Sequence, residues 1–341
     1  MVLCMISPIG SGDDFLPSTV KCRYISSAIL PYNDASENDL GGAAKMKKIT
    51  SNIKGIDSSS PMVLFFPQHQ AGFVPSNIPV GTPSLRGLWE KAPGFAEVGL
   101  KEIDPARPEM EHGIRFYRVL EAQTKEAAAI IGAHRPDFIL TTGGDCGASF
   151  ASIDYMNKYY NGALGVVWVD AHADIHTPSS SPSGNYHGMV LRHLMGSGEF
   201  PLKPALALRP AQIAYFGLRD TEREEDEAIE ALSIPRFSAR QVMDGNGPLE
   251  AVVAHFKKNG VTHLHLHVDC DVMDEAVFPH VHVPEPDGLS LERLLEILRY
   301  LRSEMPMAGC CLTEYAPATP EAGLEIVKRV YEEGLGLEFP E

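Results

Sequence analysis

Short apolar runs rich in β-forming residues alternate with amphipathic helical stretches along most of this chain, and no other feature restricts its fold as strongly. Strand candidates fall at 62–66, 137–140, 165–169, 211–216, 261–268 and 308–312, and helical patterns at 109–132, 221–231, 248–258, 290–303 and 319–333. Runs of that length bounded by turn residues suit buried strands. Repeated β-then-α order predicts a mainly parallel sheet covered by helices on both sides, a three-layer α/β/α fold. With 341 residues, 44% of them hydrophobic, the chain can bury one such core. Residues 61–341 are therefore assigned to a single domain. Residues 1–60 are poorly periodic and run out in Gly55-Ile56-Asp57-Ser58-Ser59-Ser60; they are expected to form an N-terminal extension packed on that domain. The Pro/Gly-rich segment 67–83 is expected to be a loop.

Three strands run out into chemistry. Thr141-Thr142-Gly143-Gly144-Asp145-Cys146, Asp170-Ala171-His172-Ala173-Asp174 and Asp269-Cys270-Asp271 each follow an apolar run. Acidic residues thus collect at strand C-terminal ends, where open α/β sheets bind ligands. Alternate residues leaving a strand point the same way, so Asp170, His172 and Asp174 can converge, as can Asp269 and Asp271. Carboxylates with some imidazole suit manganese, iron, cobalt, nickel or zinc. A lone Gly-Gly-Asp is more often a turn, and an isolated Asp-x-Asp is common in loops; together on separate strands they point to a two-metal site. His263, His265 and His267 alternate along the strand before Asp269, and packing behind the site is the simpler reading for them. Cys270 is expected to face away from the metals, and His280 and His282 are left open.

A formal net charge of −16 without any basic run argues against nucleic-acid and membrane-surface partners, both polyanionic. Much of the acidity lies at 221–227, which reads as a solvated helix face beyond Thr221 and Glu222. Cysteines at 4, 22, 146, 270, 310 and 311 form no close-spaced framework, as in a reducing compartment. The first residues lack a basic leader and no run approaches a membrane span, so a soluble, cytoplasmic protein is expected.

With Gly143-Gly144-Asp145-Cys146, Asp170-Ala171-His172-Ala173-Asp174 and Val268-Asp269-Cys270-Asp271-Val272-Met273-Asp274, the chain resembles the ureohydrolases, the arginase and agmatinase group. Pro79-Val80-Gly81-Thr82-Pro83-Ser84-Leu85-Arg86 is similar to that group's early turn, and the likeness runs from about residue 79 to the C-terminus. It implies an arginase-like fold with residues 61–341 as the catalytic domain, two manganese ions, hydrolysis of a small guanidino substrate, and a trimeric or hexameric homo-oligomer. On the matching positions, Asp170 and Asp269 would bridge the ions. Asp174 and Cys146 would complete one and His172 and Asp271 the other, Asp271 also holding the attacking hydroxide. Glu314, in Leu312-Thr313-Glu314-Tyr315, matches the glutamate that pairs with the guanidinium, a planar cation that a carboxylate grips in a fork; the bland alternative is an acid at a helix start. His187 matches the histidine that relays a proton to the leaving amine, a role suited to a group titrating near neutrality.

The segments at 174–188 and 217–222 are closest to arginase-type members. There His176, Ser181, Ser183 and Asn185 match positions that bind the α-carboxylate of an amino acid, and Asp220 and Glu222 match positions that meet its α-amino group. L-arginine, or an analogue such as N-hydroxy-L-arginine, is then the expected substrate, giving urea or hydroxyurea and ornithine. The chain departs from the group at Cys146, where histidine is usual, at His176 for asparagine and at Glu222 for aspartate. A metal-bound thiolate adds a negative charge and softens the site towards zinc, cobalt, nickel or iron. These departures keep open another ureohydrolase activity (formiminoglutamase, agmatinase or guanidino-acid hydrolase) and a non-catalytic regulatory protein of the same fold. A nucleophilic Cys146 is disfavoured, because four nearby carboxylates would raise its pKa.

Overall fold

The structure, a computed structural model, describes residues 58–341. The extension expected over residues 1–60 lies almost wholly outside the described residues, and Cys4 and Cys22 lie outside them too. In chain order the strands are β1 (Pro61–Phe65), β2 (Phe95–Glu97), a small hairpin of β3 (Met110–Glu111) and β4 (Ile114–Arg115), β5 (Phe138–Gly144), β6 (Leu164–Val169), β7 (Ile213–Leu218), β8 (Arg236–Ser238), β9 (His263–Asp269) and β10 (Met307–Thr313). The α-helices are α1 (Ile78–Trp89), α2 (Tyr117–His134), α3 (Phe150–Tyr159), α4 (Val190–Leu194), α5 (Arg223–Leu232), α6 (Ala239–Met243), α7 (Gly247–Lys258), α8 (Leu291–Glu304) and α9 (Leu324–Arg329). Hairpin apart, the strands form one sheet in the order β2-β1-β5-β10-β9-β6-β7-β8, every pairing parallel. All six strand candidates are present.

Strand alternation feeds two separate cores. Val167 and Val169 of β6 join Leu264, Leu266 and Val268 of β9 beneath α1 and α6 to α9. Val166 and Trp168 join Met62 and Leu64 beneath α2 to α5. Helix α8 shows how one layer is held: Leu294, Ile297, Leu298 and Leu301 recur at helical spacing and are fully buried, each contributing about 1.5–3 kcal/mol. Its start is fixed by Ser290, whose side chain accepts from the Arg293 N–H.

Two expectations need correction. The Pro/Gly-rich stretch is not all loop, because α1 begins at Ile78 with Pro79 in its first turn, where a missing N–H leaves no bond unmade. The helical pattern from 109 starts late, at Tyr117, because His112 and Gly113 both adopt positive φ and close the β3-β4 hairpin.

After β5 the chain crosses to β6 and leaves between them the space that β9 and β10 later fill. Their C-terminal loops therefore diverge, opening the crevice in which sites of open α/β sheets form. Among the described residues no helix is long and apolar enough to cross a membrane.

His265 lies on the face of β9 opposite Leu264 and Leu266, fully buried, and neither ring nitrogen has a hydrogen-bond partner. Burial pushes its pKa down to about 3, against an unfolded value near 6.5. The neutral ring's contribution to stability is complete above pH ~6.5 and is lost as pH falls, at up to about 1.4 kcal/mol per unit. His265→Leu is expected to stay within about 1 kcal/mol of wild type at pH 7.5 and to be about 2 kcal/mol more stable than wild type at pH 5. Urea unfolding at the two pH values checks this; a parallel pH dependence in both proteins would refute it.

Candidate metal centre

The end of β5 can turn into the site only as glycine: a Cβ at Gly144 would lie 2.4 Å from the Phe66 carbonyl oxygen. Asp145, fully buried, accepts from Gln68 Nε2 and from the Ala71 N–H, both at 2.9 Å, and so ties the segment after β1 across the strand end. The next residue, Cys146, opens a short 3-10 turn with its sulfur facing β9. Asp170 and Asp269 leave the adjacent β6 and β9. Each folds its own loop back, Asp170 Oδ1 accepting from the His172 N–H at 2.7 Å and Asp269 Oδ1 from the Asp271 N–H at 2.8 Å. Register between these strands, Val169 beside Val268, places the two carboxylates side by side.

Cys146 Sγ lies 3.0 Å from Asp269 Oδ2, and His172 Nδ1 lies 3.5 Å from Asp170 Oδ1 and 3.1 Å from Asp271 Oδ2. Donor atoms of Cys146, Asp170, His267 and Asp269 fall within 4.8 Å of one another, as do those of Asp170, His172 and Asp271. Asp170 thus belongs to both groups. Asp174 belongs to neither, although it is buried close enough for its charge to act on Asp170 and the Cys146 thiol.

The electrostatics call for cations. Burial, then Asp170, pushes the Asp174 carboxyl well above the usual range, and burial, then Asp271 and Asp170, does the same to Asp269. Burial also opposes ionisation of Asp170, yet the His172 and His267 imidazoles beside it hold it low. Against burial, Asp271, Asp170 and Asp220 raise His172 well above the imidazole range. Asp170 Oδ2 and Asp174 Oδ2 are buried without a hydrogen-bond partner. Unpaired buried carboxylate oxygens are costly, and two divalent ions would satisfy them, so the donor set fits such ions.

Outside the cluster lies a cavity of about 220 Å³, lined among others by Asp174, His172, Asp271, His187 and Glu314 inside and by His176, Ser183, Asp220 and Glu222 further out. A larger cavity of about 430 Å³ near His69 and Lys101 shares no lining residue with it. Glu314 is buried with a left-handed backbone, φ 60, a strained state for glutamate. Its N–H donates to Gly144 O, and its Oε1 accepts from the Cys146 N–H at 3.1 Å and faces His187 Nδ1 at 3.4 Å. Against burial, Glu314 raises the His187 pKa.

Not every expected residue reaches this space. Ser181 and Asn185 do not line the cavity; the Ser181 hydroxyl accepts from the Gly184 N–H and shapes the turn, and the Asn185 N–H donates to Ser183 Oγ. Conversely Phe73, His282 and Glu225 do line it. Glu225 corrects the reading of 221–227 as solvated beyond its first two residues, since it is only 5% exposed. It closes a capping box with Glu222 and accepts from the Ile175 N–H. The three-residue spacing of Glu222 and Glu225 is the signal that marks this inward turn.

Arg219 clamps the β9 loop to the end of β7. It donates to the carbonyls of Asp271 at 2.6 Å, Val272 at 3.2 Å, Met273 at 3.1 Å, Glu285 at 3.1 Å and Pro286 at 2.9 Å. Arg219→Ala is expected to cost about 3 kcal/mol, with Arg219→Lys recovering less than half because an ammonium has no fork. Urea unfolding measures both; a loss for Arg219→Ala below about 0.5 kcal/mol, the range of inert surface changes, would rule the clamp out.

Sheet and site together define an α/β/α protein with a buried carboxylate cluster at its strand ends whose donors fit divalent ions. A model of the arginase family matches residues 81–330, and the chain belongs to that family, whose members bind a binuclear metal centre and hydrolyse guanidino compounds. It is 30% identical to an arginase of Staphylococcus aureus (strain MRSA252) over 232 residues, which are 66% of this chain and 76% of that one. Its fold is similar to that of Entamoeba histolytica arginase in complex with L-ornithine (TM-score 0.71, 24% identity, 81% of this chain and 98% of that one). It is similar also to formimidoylglutamase from Bacillus subtilis subsp. subtilis str. 168 (TM-score 0.64, 16% identity, 81% of this chain and 86% of that one). The four described cysteines, Cys146, Cys270, Cys310 and Cys311, are free and buried.

Proposed function

We propose that the protein cleaves the guanidino group of L-arginine, or of a close analogue such as N-hydroxy-L-arginine, to urea or hydroxyurea and ornithine, with residues 61–341 as the catalytic domain. The observation that carries this reading is the buried Glu314 carboxylate, which faces a cavity whose inner wall also holds His172, Asp174 and Asp271. Glu314 holds the planar cation in a charge-assisted fork and sets its central carbon over the cluster. Asp170, His172, Asp174, Asp269, Asp271 and Cys146 hold two divalent ions, manganese by family likeness. When bound, such ions bring the pKa of water towards neutrality. Asp271 orients the attacking oxygen, and His187, already paired with Glu314, carries a proton to the leaving amine. At the outer end Asp220 and Glu222 receive the α-amino group, while His176 and Ser183 meet the α-carboxylate; Ser181 and Asn185 support that loop.

One observation favours a shorter substrate. His176 is 6% exposed and packs its ring between Ser180 and the Glu222–Glu225 pair, narrowing the outer end of the cavity. Metal-stripped protein reconstituted separately with manganese, cobalt, nickel and zinc should release urea from L-arginine or hydroxyurea from N-hydroxy-L-arginine. Turnover of formiminoglutamate or agmatine instead would replace the substrate but keep the hydrolase. Full metal loading without turnover of any of the four, or of a shorter guanidino acid, would overturn the catalytic reading.

A further inference from the structure

We infer that His267 is a metal ligand, and that its Nε2 completes a deep, soft-donor position made of Cys146 Sγ, His267 Nε2, Asp170 and Asp269. The inference rests on the two-metal reading above and gives His267, rather than Asp174, the fourth place beside Cys146. His267 Nε2 lies 3.6 Å from Cys146 Sγ and 3.7 Å from Asp170 Oδ2. Bonds of 2.0–2.3 Å to nitrogen, oxygen and sulfur set tetrahedral donors roughly 3.3–3.7 Å apart, so these separations are those of atoms sharing an ion. A direct hydrogen bond is the competing account: 3.7 Å to Asp170 is too long for one, and the 3.6 Å contact with Cys146 Sγ is at most a weak sulfur hydrogen bond.

The ring is also locked in the pose a ligand needs. It stacks on Trp168 with centroids 3.5 Å apart and planes 5° apart, and its other nitrogen, Nδ1, lies 3.0 Å from Cys311 Sγ. A ligating imidazole engages its second nitrogen in this way, which fixes its tautomer and aims the free lone pair. In the tautomer that donates Nδ1–H to Cys311 Sγ, the one metal binding selects, the Nε2 lone pair faces Asp170 Oδ2, itself buried and without a hydrogen-bond partner. The three histidines of this strand therefore have different surroundings. His263 is half-buried against Tyr160, His265 sits in the core, and His267 reaches the cluster.

Two unlike positions follow. The deep one has thiolate, imidazole and two carboxylates, all at most 2% exposed and none lining the cavity. The outer one, at Asp170, His172 and Asp271, opens on the cavity through His172 and Asp271 and lacks sulfur. Soft donors select zinc, cobalt or iron over manganese at the deep position.

The test uses the full chain loaded with cobalt(II), with metal content by elemental analysis and ligand counting by X-ray absorption. Two ions per chain with about one imidazole per cobalt on average, His172 and His267 each serving one, is the expected result. Two ions with half that imidazole count would overturn the inference and leave the two-metal reading intact. No bound cobalt would overturn both. Next, His267→Gln should weaken one of the two ions by about 100-fold or more, and Cys311→Ala, which spares every donor, by about 10-fold. Unchanged affinity for both ions in a folded His267→Gln protein would also overturn it; wild-type ligand counting keeps the test decisive if that variant does not fold.

Discussion

Asp269→Asn is expected to bind at most one metal ion and to lose hydrolysis by about 10³-fold or more, since the ions supply several kcal/mol to the reaction. Asp269 is 1% exposed, touches Cys146 Sγ through Oδ2 and anchors the Asp271 N–H through Oδ1. An amide keeps the size and one acceptor, so the fold survives the change while the charge that draws the cations does not. The variant should therefore separate two stabilities. Saturating metal at 1,000 times its Kd stabilises the wild type by about 4 kcal/mol, and most of that increment should vanish. Without metal the sign reverses. Burial, Asp271 and Asp170 all disfavour the ionised Asp269, so the neutral amide should make the metal-free protein at least as stable as wild type at pH 7.5. Thermal unfolding with and without cobalt measures both changes. A variant that is less stable without metal and equally stabilised by it would show that Asp269 is a structural acid.

The strand ends were legible because the signal is local: an apolar run buried on both faces must stop where a charge appears, and Asp170 and Asp269 stop β6 and β9 there. The same holds for the three-layer fold, since the order of strands and helices requires no knowledge of which strand lies beside which. Pairing was not legible. His267 meets Cys146 across 121 residues of sequence: a parallel sheet puts both strand ends on one side, but nothing near either residue encodes how few strands separate β9 from β5. Its alternation with His263 and His265 pointed to one face, and only the register of β9 against β6 sets Trp168 beside it. Glu225 was hidden for another reason. Its neighbours are exposed acids, and the inward turn depends on a capping box that fixes where α5 begins. Ser181 and Asn185 illustrate the converse, in which matching positions lie in the loop beside the cavity while Ser183 lines it.

Glu314→Gln should leave metal content unchanged and lower kcat/KM by about 2–5 kcal/mol, the usual result of removing one member of a buried charged pair. That is roughly 30- to 4,000-fold at 1.4 kcal/mol per decade. The substitution is nearly isosteric: the amide oxygen can still accept from the Cys146 N–H, and the left-handed backbone at residue 314, held by its N–H bond to Gly144, is undisturbed. What disappears is the negative charge facing the cavity. A second consequence has a definite sign. Burial alone would depress His187, and Glu314 raises it above the ordinary imidazole value; with a neutral partner its pKa must fall. The limb of the pH–rate profile that requires protonated His187 should then move to lower pH, so activity is lost at a lower pH than in wild type. A purely structural Glu314 gives the opposite pattern, in which stability drops, kcat/KM changes by less than about threefold, under 0.7 kcal/mol, and the pH profile keeps its position.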